Sequence, residues 1–416
     1  MNGGAETEAE PTTELLTEVR VRGFRTLKDA AFWPGPLSAL VGEPGTGKSN
    51  LLAAIRAALD PKAAPLTSED VQETGTAPIR IDIETGSRAM CTLEGEPPSA
   101  SLVKNGDLPP VLYLPARLRA THILDGGISN PPEAMTAVPG LDQTREVETV
   151  GRGDSDHRPG STEAAHGLVA DINAWVETGR TGTVVLIEEP ELFLPPQTQR
   201  FLYRLFRRLA AAGNQILYST HSPSFLNVAR LHELVLTEHD PSVGTRLLQP
   251  EPLHTDEEFR AYSEFDAARS ELFLARAAIL VEGQTERLAL PFVFHALGYD
   301  PDQERISIIE CGGKPNIPLI ARVAAAVGVP FIAVHDRDAR KERKPIQAEQ
   351  RLNQLIGQIA GDHRIELTPD FEGVAGLKGH THKPARAWRS FADLKAEDIP
   401  EPLARIATMA VTLARR

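Results

Sequence analysis

Two sets of residues in this 416-residue chain have the types and the spacing that phosphate chemistry needs. The first is Gly42-Glu43-Pro44-Gly45-Thr46-Gly47-Lys48-Ser49, which fits G-x-x-x-x-G-K-[ST]. Glycines let successive backbone N–H groups curl around phosphate oxygens, and a helix starting behind them adds a favourable field. In that setting Lys48 reaches the β- and γ-phosphates, Ser49 holds Mg²⁺, and Asn50 follows in the same turn. Farther on, Val184-Val185-Leu186-Ile187 ends in Glu188-Glu189. Residues at the carboxyl end of a buried parallel strand lie where ligands bind. Glu188 is therefore placed to order Mg²⁺ through water, and Glu189 to polarise an attacking water. The next apolar run ends in Ser219-Thr220-His221, which puts His221 where it can sense a γ-phosphate.

The second set lies in the last third of the chain. Ala278-Ile279-Leu280-Val281 ends in Glu282-Gly283, with Glu286 four residues on, and Phe331-Ile332-Ala333-Val334 ends in His335-Asp336-Arg337-Asp338. Hard carboxylate oxygens suit Mg²⁺ or Mn²⁺, and two such ions clamp the attacking and leaving oxygens of a phosphodiester. Alternate residues of an extended segment share a face, so Asp336 and Asp338 can converge.

Strands alternating with helices must position these groups. The pattern predicts strands near 19–22, 37–41, 78–115, 183–187 and 215–219, with helices over 51–59, 164–178 and 197–212. After a helical segment near 257–275 a second alternation starts: strands 277–281, 306–309 and 331–334, helices 286–297 and 317–327. This predicts an α/β protein with two parallel-sheet domains built from right-handed crossovers. The expected divisions are an acidic disordered tail (1–14), an ATPase domain (15–255) with a flexible insertion (117–161), a connecting helix (256–275) and a second domain (276–416). The charge, 44 − 57 = −13, argues against coating nucleic acid by bulk charge, but leaves room for local basic grooves. With 41% apolar residues the chain is expected to fold. It shows no run long enough for a membrane helix; Met1 to Glu14 lack a basic and an apolar region, so no secretory leader is expected; and its two cysteines, Cys91 and Cys311, cannot build a disulfide framework. A cytoplasmic protein with no membrane association is the expectation.

The P-loop, the double Glu and the strand-end His together resemble an ABC-type ATPase, which implies Glu189 as catalytic base and His221 as switch histidine. Two stretches resemble more specifically the ATPase half of the OLD (overcoming lysogenization defect) nucleases: Ile187-Glu188-Glu189-Pro190-Glu191-Leu192-Phe193-Leu194-Pro195, and Arg22-Gly23-Phe24-Arg25-Thr26-Leu27. Pro44 departs from the Asn usual in those proteins. The nearest counterpart of an ABC signature is Gly160-Ser161-Thr162-Glu163. The order Glu-Gly-x-x-Glu and then, about fifty residues on, Asp-x-Asp on successive β/α units resembles a Toprim domain, a metal-dependent phosphodiester site. The resemblance implies Glu282, Glu286, Asp336 and Asp338 as metal-site residues, Lys314 in Gly312-Gly313-Lys314 as a phosphate contact, and Glu372 as a further metal ligand. It also implies Lys383 as a cation stabilising transition-state charge. Asp370 reads equally well as a helix cap.

Basic clusters could lead DNA to such a site despite the net charge. Arg200, Arg204, Arg207 and Arg208 recur at i, i+4, i+7 and i+8 of one predicted helix, with Phe201, Leu202, Leu205, Phe206 and Leu209 on the other face. Arg340, Lys341, Arg343 and Lys344 follow Asp338. No motif reads bases, so little sequence preference is expected. The resemblance implies an ATP-hydrolysing, Mg²⁺- or Mn²⁺-dependent DNA endonuclease in phage defence or DNA repair. It further implies a homodimer or higher oligomer and a partner protein of a defence system. The competing reading is an ATP-gated DNA clamp or nucleotide-sensing scaffold with weak or no cutting.

Overall fold

In the computed structural model, residues 15–71, 78–97, 99–116, 168–169, 172, 175–252, 268–337, 346–377 and 383–416 are described, without the side chains of 228, 229, 346 and 383. The tail (1–14), the insertion (117–161), Asp338 and the cluster Arg340, Lys341, Arg343 and Lys344 lie outside the described residues. The chain forms two compact units, one of residues up to Phe225 plus His232–Gln249, the other of Leu226–Leu231 plus Pro250–Arg416.

The first unit runs β1 (Leu16–Phe24), β2 (Leu27–Phe32), β3 (Leu37–Gly42), α1 (Lys48–Leu59), β4 (Ile79–Thr85), β5 (Met90–Gly95), β6 (Ser101–Asn105) and β7 (Val111–Leu114). It continues with β8 (Val184–Glu188), α2 (Pro196–Ala211), β9 (Gln215–Thr220), β10 (Leu234–Asp240) and β11 (Gly244–Leu248). Two sheets result, of order β2-β1-β4-β5-β6 and β11-β10-β3-β9-β8-β7. The first is antiparallel and alternates buried with half-exposed residues, as a sheet with one face on a core must. In the second, β10, β3, β9, β8 and β7 run parallel. Its inner strands β8 and β9 are buried at every position, which is why they read as unbroken apolar runs. Val19, Val21, Phe32, Leu51, Ile55, Ile81 and Leu186 pack one core between the sheets and α1. The hairpin β10–β11 was not expected from sequence, and β10 fills a place beside β3.

The second unit runs β12 (Ala277–Val281), α3 (Gln284–Ala296), β13 (Ile306–Glu310), α4 (Ile317–Ala326), β14 (Phe331–Asp336), α5 (Ile346–Ala360), β15 (Arg364–Leu367), α6 (Phe371–Val374), α7 (Lys383–Phe391) and α8 (Glu401–Ala414). Its four strands, ordered β13-β12-β14-β15, are all parallel. The core joins Ile279, Val281, Leu290, Val293, Phe294, Ile332 and Val334 to Leu403, Ile406 and Ala410 of α8. Much of the segment expected as a connecting helix lies outside the described residues, and Arg269–Leu274 forms a 3-10 helix.

Both cysteines are sealed in these cores. Cys91 is 1% exposed, its Sγ donates to the Ala58 carbonyl at 3.3 Å, and burial pushes its thiol up to about 11. Burial raises Cys311 further still. The thiolate is the reactive form. Folded protein should therefore show no thiol reactive toward a disulfide reagent at neutral pH, and unfolded protein two. Rapid modification of either thiol in the folded chain would contradict these packings.

Candidate functional site

Each unit gathers polar side chains at the carboxyl edge of its parallel sheet, for the same reason: buried apolar strands deliver their last residues there. In the first unit β3 ends at Gly42 and the chain turns into α1 at Gly47, whose φ of 103° is left-handed backbone that glycine adopts without strain. Space enforces glycine as well. A Cβ on Gly47 would lie 2.2 Å from Thr245 Oγ1 and 2.8 Å from Thr26 Oγ1, and one on Gly42 would lie 2.2 Å from the Thr237 carbonyl oxygen. A Cβ on Gly45 would meet no atom within 4 Å, but its φ of 81° has the same preference. Gly47→Ala should therefore lower stability by about 1–3 kcal/mol through backbone strain and forced displacement of its neighbours. Denaturant melts would show it, and an unchanged midpoint would refute this packing.

Lys48 is 5% exposed and folds back over the loop, its Nζ donating to the carbonyls of Gly42 (2.9 Å) and Glu43 (2.7 Å). Burial pulls its ammonium down to about 8, while Glu189, Glu191 and Glu43 work to keep it charged. Asn50 accepts from Arg25 Nη1 (3.2 Å) and donates to Thr26 Oγ1 (2.8 Å), and Arg25 in turn pairs with Asp70 at 2.8 Å. Ser49 and Glu188 both line a cavity of about 190 Å³ together with Arg25, Arg56, Asp70 and Tyr113. Glu188 is 9% exposed; it accepts from the Tyr113 hydroxyl (2.9 Å) and the Ala116 N–H (3.1 Å). Glu189 adopts a positive φ of 43°, which turns the chain out of β8, and its Oε1 lies 3.8 Å from His221 Nε2. Glu191, quoted in the motif but given no role from sequence, accepts from the His221 N–H (2.6 Å) and Thr220 Oγ1 (3.0 Å). Burial raises its pKa. Tyr113 and Glu191 escaped the sequence reading because their partners lie 75 and 30 residues away.

On α2 the exposed face carries Arg200, Arg204 and Arg208, while Arg207 is half-buried and Leu202, Leu205, Phe206 and Leu209 are buried. One expectation is corrected here. Phe201 is 40% exposed and stands on the arginine side, with the Arg204 guanidinium 5.7 Å over its ring. Leu202, Leu205, Phe206 and Leu209 already complete an i, i+3, i+4, i+7 stripe, and Phe201 falls outside it.

In the second unit, β12 and β14 are adjacent and parallel, so Glu282 and Asp336 emerge side by side. Glu282 Oε1 accepts from the Asp336 N–H at 2.7 Å, and Asp336 Oδ1 accepts from the Phe371 N–H at 2.8 Å. This second bond ties the start of α6, and with it Glu372, to β14. Glu286 sits in the first turn of α3 and is 7% exposed. Burial, then the charges of Asp336, Glu282 and Glu372, push it up to about 8. Glu286 thus feels three other carboxyl groups at one edge of the sheet. Among the described residues no three Asp, Glu, His or Cys side chains are drawn together tightly enough to hold a metal ion as they stand. The donor set nonetheless fits a hard divalent cation, because like-charged oxygens crowded in a poorly solvated place are what such an ion relieves.

Two further residues singled out from sequence have defined surroundings. Lys314, which the resemblance implies as a phosphate contact, is held by partners within the protein. It is 4% exposed, donates to the Asp336 carbonyl at 2.5 Å and pairs with Glu349 at 3.3 Å, so it braces the end of β14 from behind. Asp370 caps α6, accepting from the Gly373 N–H at 2.7 Å. Lys383 opens α7.

Comparison with known proteins follows the same division. Residues 273–338 match the model described as "Overcoming lysogenization defect protein-like, TOPRIM domain". Residues 173–227 match an AAA domain model named for the AbiEii toxin of Type IV TA systems. The chain is 36% identical over 256 residues to an OLD nuclease of Thermus scotoductus, a match spanning 56% of this chain and 48% of that one. It is 24% identical over 218 residues to the Old nuclease of Escherichia phage P2, spanning 48% and 37% of the two chains. The chain therefore matches less than half the length of these curated relatives. A solved C-terminal region of the Burkholderia pseudomallei OLD protein is 18% identical, with a TM-score of 0.27, covering 34% of this chain and 98% of that one. No helix of the described residues is long and apolar enough to cross a membrane. In an AAA-like segment followed by an OLD-like Toprim segment, the chain is similar to the OLD nucleases.

Proposed function

We propose that the chain is an ATP-binding and ATP-hydrolysing, divalent-metal-dependent DNA endonuclease. The observation that carries this reading is the placement of Glu282, Glu286, Asp336 and Glu372 at the carboxyl edge of a four-stranded parallel sheet, where Glu282 accepts from the Asp336 N–H and Asp336 accepts from the Phe371 N–H beside Glu372. Glu282, Glu286, Asp336 and Glu372, with Asp338, would hold Mg²⁺ or Mn²⁺; bound there, the ion supplies Lewis-acid charge at a scissile phosphate. The Asp336 N–H orients the Glu282 carboxylate, the Phe371 N–H orients that of Asp336, and Lys314 fixes the strand end on which Asp336 sits. Lys383 is the cation for the developing phosphorane charge.

In the first unit, Gly42 and Gly47 let the nucleotide-binding loop pack its backbone against Thr237 and Thr245, and Gly45 leaves open space beside the loop for phosphate. Lys48 exchanges its two loop carbonyls for phosphate oxygens. Ser49, Asn50 and Glu188 form the nucleotide and metal side, Glu189 takes the proton of the attacking water, and His221 beside it senses the γ-phosphate. Arg200, Arg204, Arg207 and Arg208 on α2, and Arg340, Lys341, Arg343 and Lys344, steer the DNA backbone, with salt-sensitive affinity. Assembly as a homodimer or higher oligomer, action with a partner protein of a defence system, and a place in phage defence or DNA repair belong to the same proposal.

Supercoiled plasmid incubated with the protein tests it. Nicked or linear product should form with Mg²⁺ or Mn²⁺ and not in a chelator, and an ATP series should change its rate. Product absent under every condition would overturn the nuclease reading and favour an ATP-gated clamp.

A further inference from the structure

Helix α7 leaves a large aromatic ring in water. Trp388 is 54% exposed, although its ring and that of Phe292 on α3 form a T-shaped pair at 5.4 Å and 85°. Single exposed aromatics are common on protein surfaces, so what marks Trp388 is the setting that holds it rather than its exposure. The helix that presents it is firmly held. Ala387 and Phe391, four residues apart, form its buried face, and Phe391 stacks on Phe371 of α6 at 6.3 Å and 18°. So α7 is anchored to two helices that carry candidate metal carboxylates, α3 with Glu286 in its first turn and the short α6 with Glu372 beside Phe371. Its charge is one-sided as well. Over Lys383–Phe391 there are three basic residues, Lys383, Arg386 and Arg389, and no acidic one, in a chain whose net charge is −13.

We propose that Trp388, backed by Phe292, is a stacking platform for an unpaired base of the DNA strand led to the carboxylate cluster, with Arg389 against that strand's phosphates. The proposal rests on the nuclease reading for its substrate but is tested by binding alone. An exposed π-face paired with a cationic helix accepts any base in a single strand, whereas in duplex DNA the same faces are already stacked. The occupant is a nucleic acid strand rather than a second copy of this chain, because a two-fold contact would set this acid-free basic helix against itself. The platform therefore favours single-stranded, gapped or locally melted DNA over intact duplex.

The test uses the full chain carrying Asp336→Asn, so that binding is read without cutting, and a fluorescently labelled oligonucleotide, single-stranded or annealed to its complement. Trp388→Ala should weaken single-strand binding about tenfold or more and duplex binding far less. Trp388→Phe should retain most of the single-strand affinity. Arg389→Ala should weaken both forms and lower the salt dependence of binding by about one phosphate contact. Unchanged single-strand affinity in Trp388→Ala with an unchanged melting profile would overturn the platform, as would equal losses for both DNA forms. A shift in oligomeric state by light scattering without any change in DNA affinity would overturn it in favour of a protein interface. Failure of wild-type protein to cut plasmid would sink the nuclease reading but leave these binding differences to stand or fall independently.

Discussion

Asp336→Asn should abolish metal-dependent DNA cutting, a loss on the order of a hundredfold or more, because it removes one negative charge from the group that would hold the cation. The substitution isolates charge from structure. Asp336 Oδ1 accepts from the Phe371 N–H, and an asparagine oxygen can accept the same bond. The backbone N–H of residue 336 still donates to Glu282, and Lys314 still donates to its carbonyl. The fold of the second unit should therefore survive within about 1 kcal/mol, whereas Asp336→Ala would leave the buried Phe371 N–H without that acceptor and cost about 1–3 kcal/mol. Nucleotide binding should be unchanged, since the P-loop belongs to the other unit. Thermal melts, nucleotide titration and DNA cutting on the same preparation check all three parts. Full cutting by Asp336→Asn would remove the carboxylate group from the mechanism.

Lys48→Ala should produce the opposite pattern. The ammonium is nearly buried, is pulled down to about 8 by that burial, and is held by two loop carbonyls. A phosphate replaces those neutral acceptors with charged ones. Charge-assisted hydrogen bonds to a poorly solvated anion contribute about 1.5–3 kcal/mol, so loss of Lys48 should weaken ATP binding by about tenfold to a hundredfold. The stability cost should be small, because the Gly42 and Glu43 carbonyls turn to water once the side chain is gone. Titration with a fluorescent ATP analogue, set beside a melting curve, separates a binding defect from a folding one. Undiminished binding by folded Lys48→Ala would mean that the loop does not cradle the triphosphate.

The sequence was most informative where chemistry fixes spacing. A phosphate loop must place Gly42, Gly47 and Lys48 at set intervals between a strand and a helix, and the structure has β3 and α1 on either side. Strands buried on both faces, such as β8, β12 and β14, announce themselves as apolar runs that end in carboxylates. What stayed hidden depends on chain reversal. Tyr113 and Glu188 are neighbours because β7 and β8 pair, across 75 residues. The partners of Lys314 lie on β14 and α5, which nothing local to it shows. Phe201 sat at the border of an amphipathic stripe, where one residue, a rotation of about 100°, decides between core and solvent. The hairpin β10–β11 supplies Thr237 and Thr245, the groups that exclude a side chain at Gly42 and Gly47, although neither strand was legible beforehand.

The most direct measurement places wild type, Asp336→Asn and Lys48→Ala in parallel reactions with supercoiled plasmid, ATP and Mg²⁺ or Mn²⁺, recording nicked DNA and released phosphate from the same tubes. Wild type should give both products. Asp336→Asn should release phosphate without nicking, and Lys48→Ala should release no phosphate. Metal-dependent nicking that persists in Asp336→Asn at the wild-type rate would contradict the assignment of cutting to the carboxylate group of the second unit.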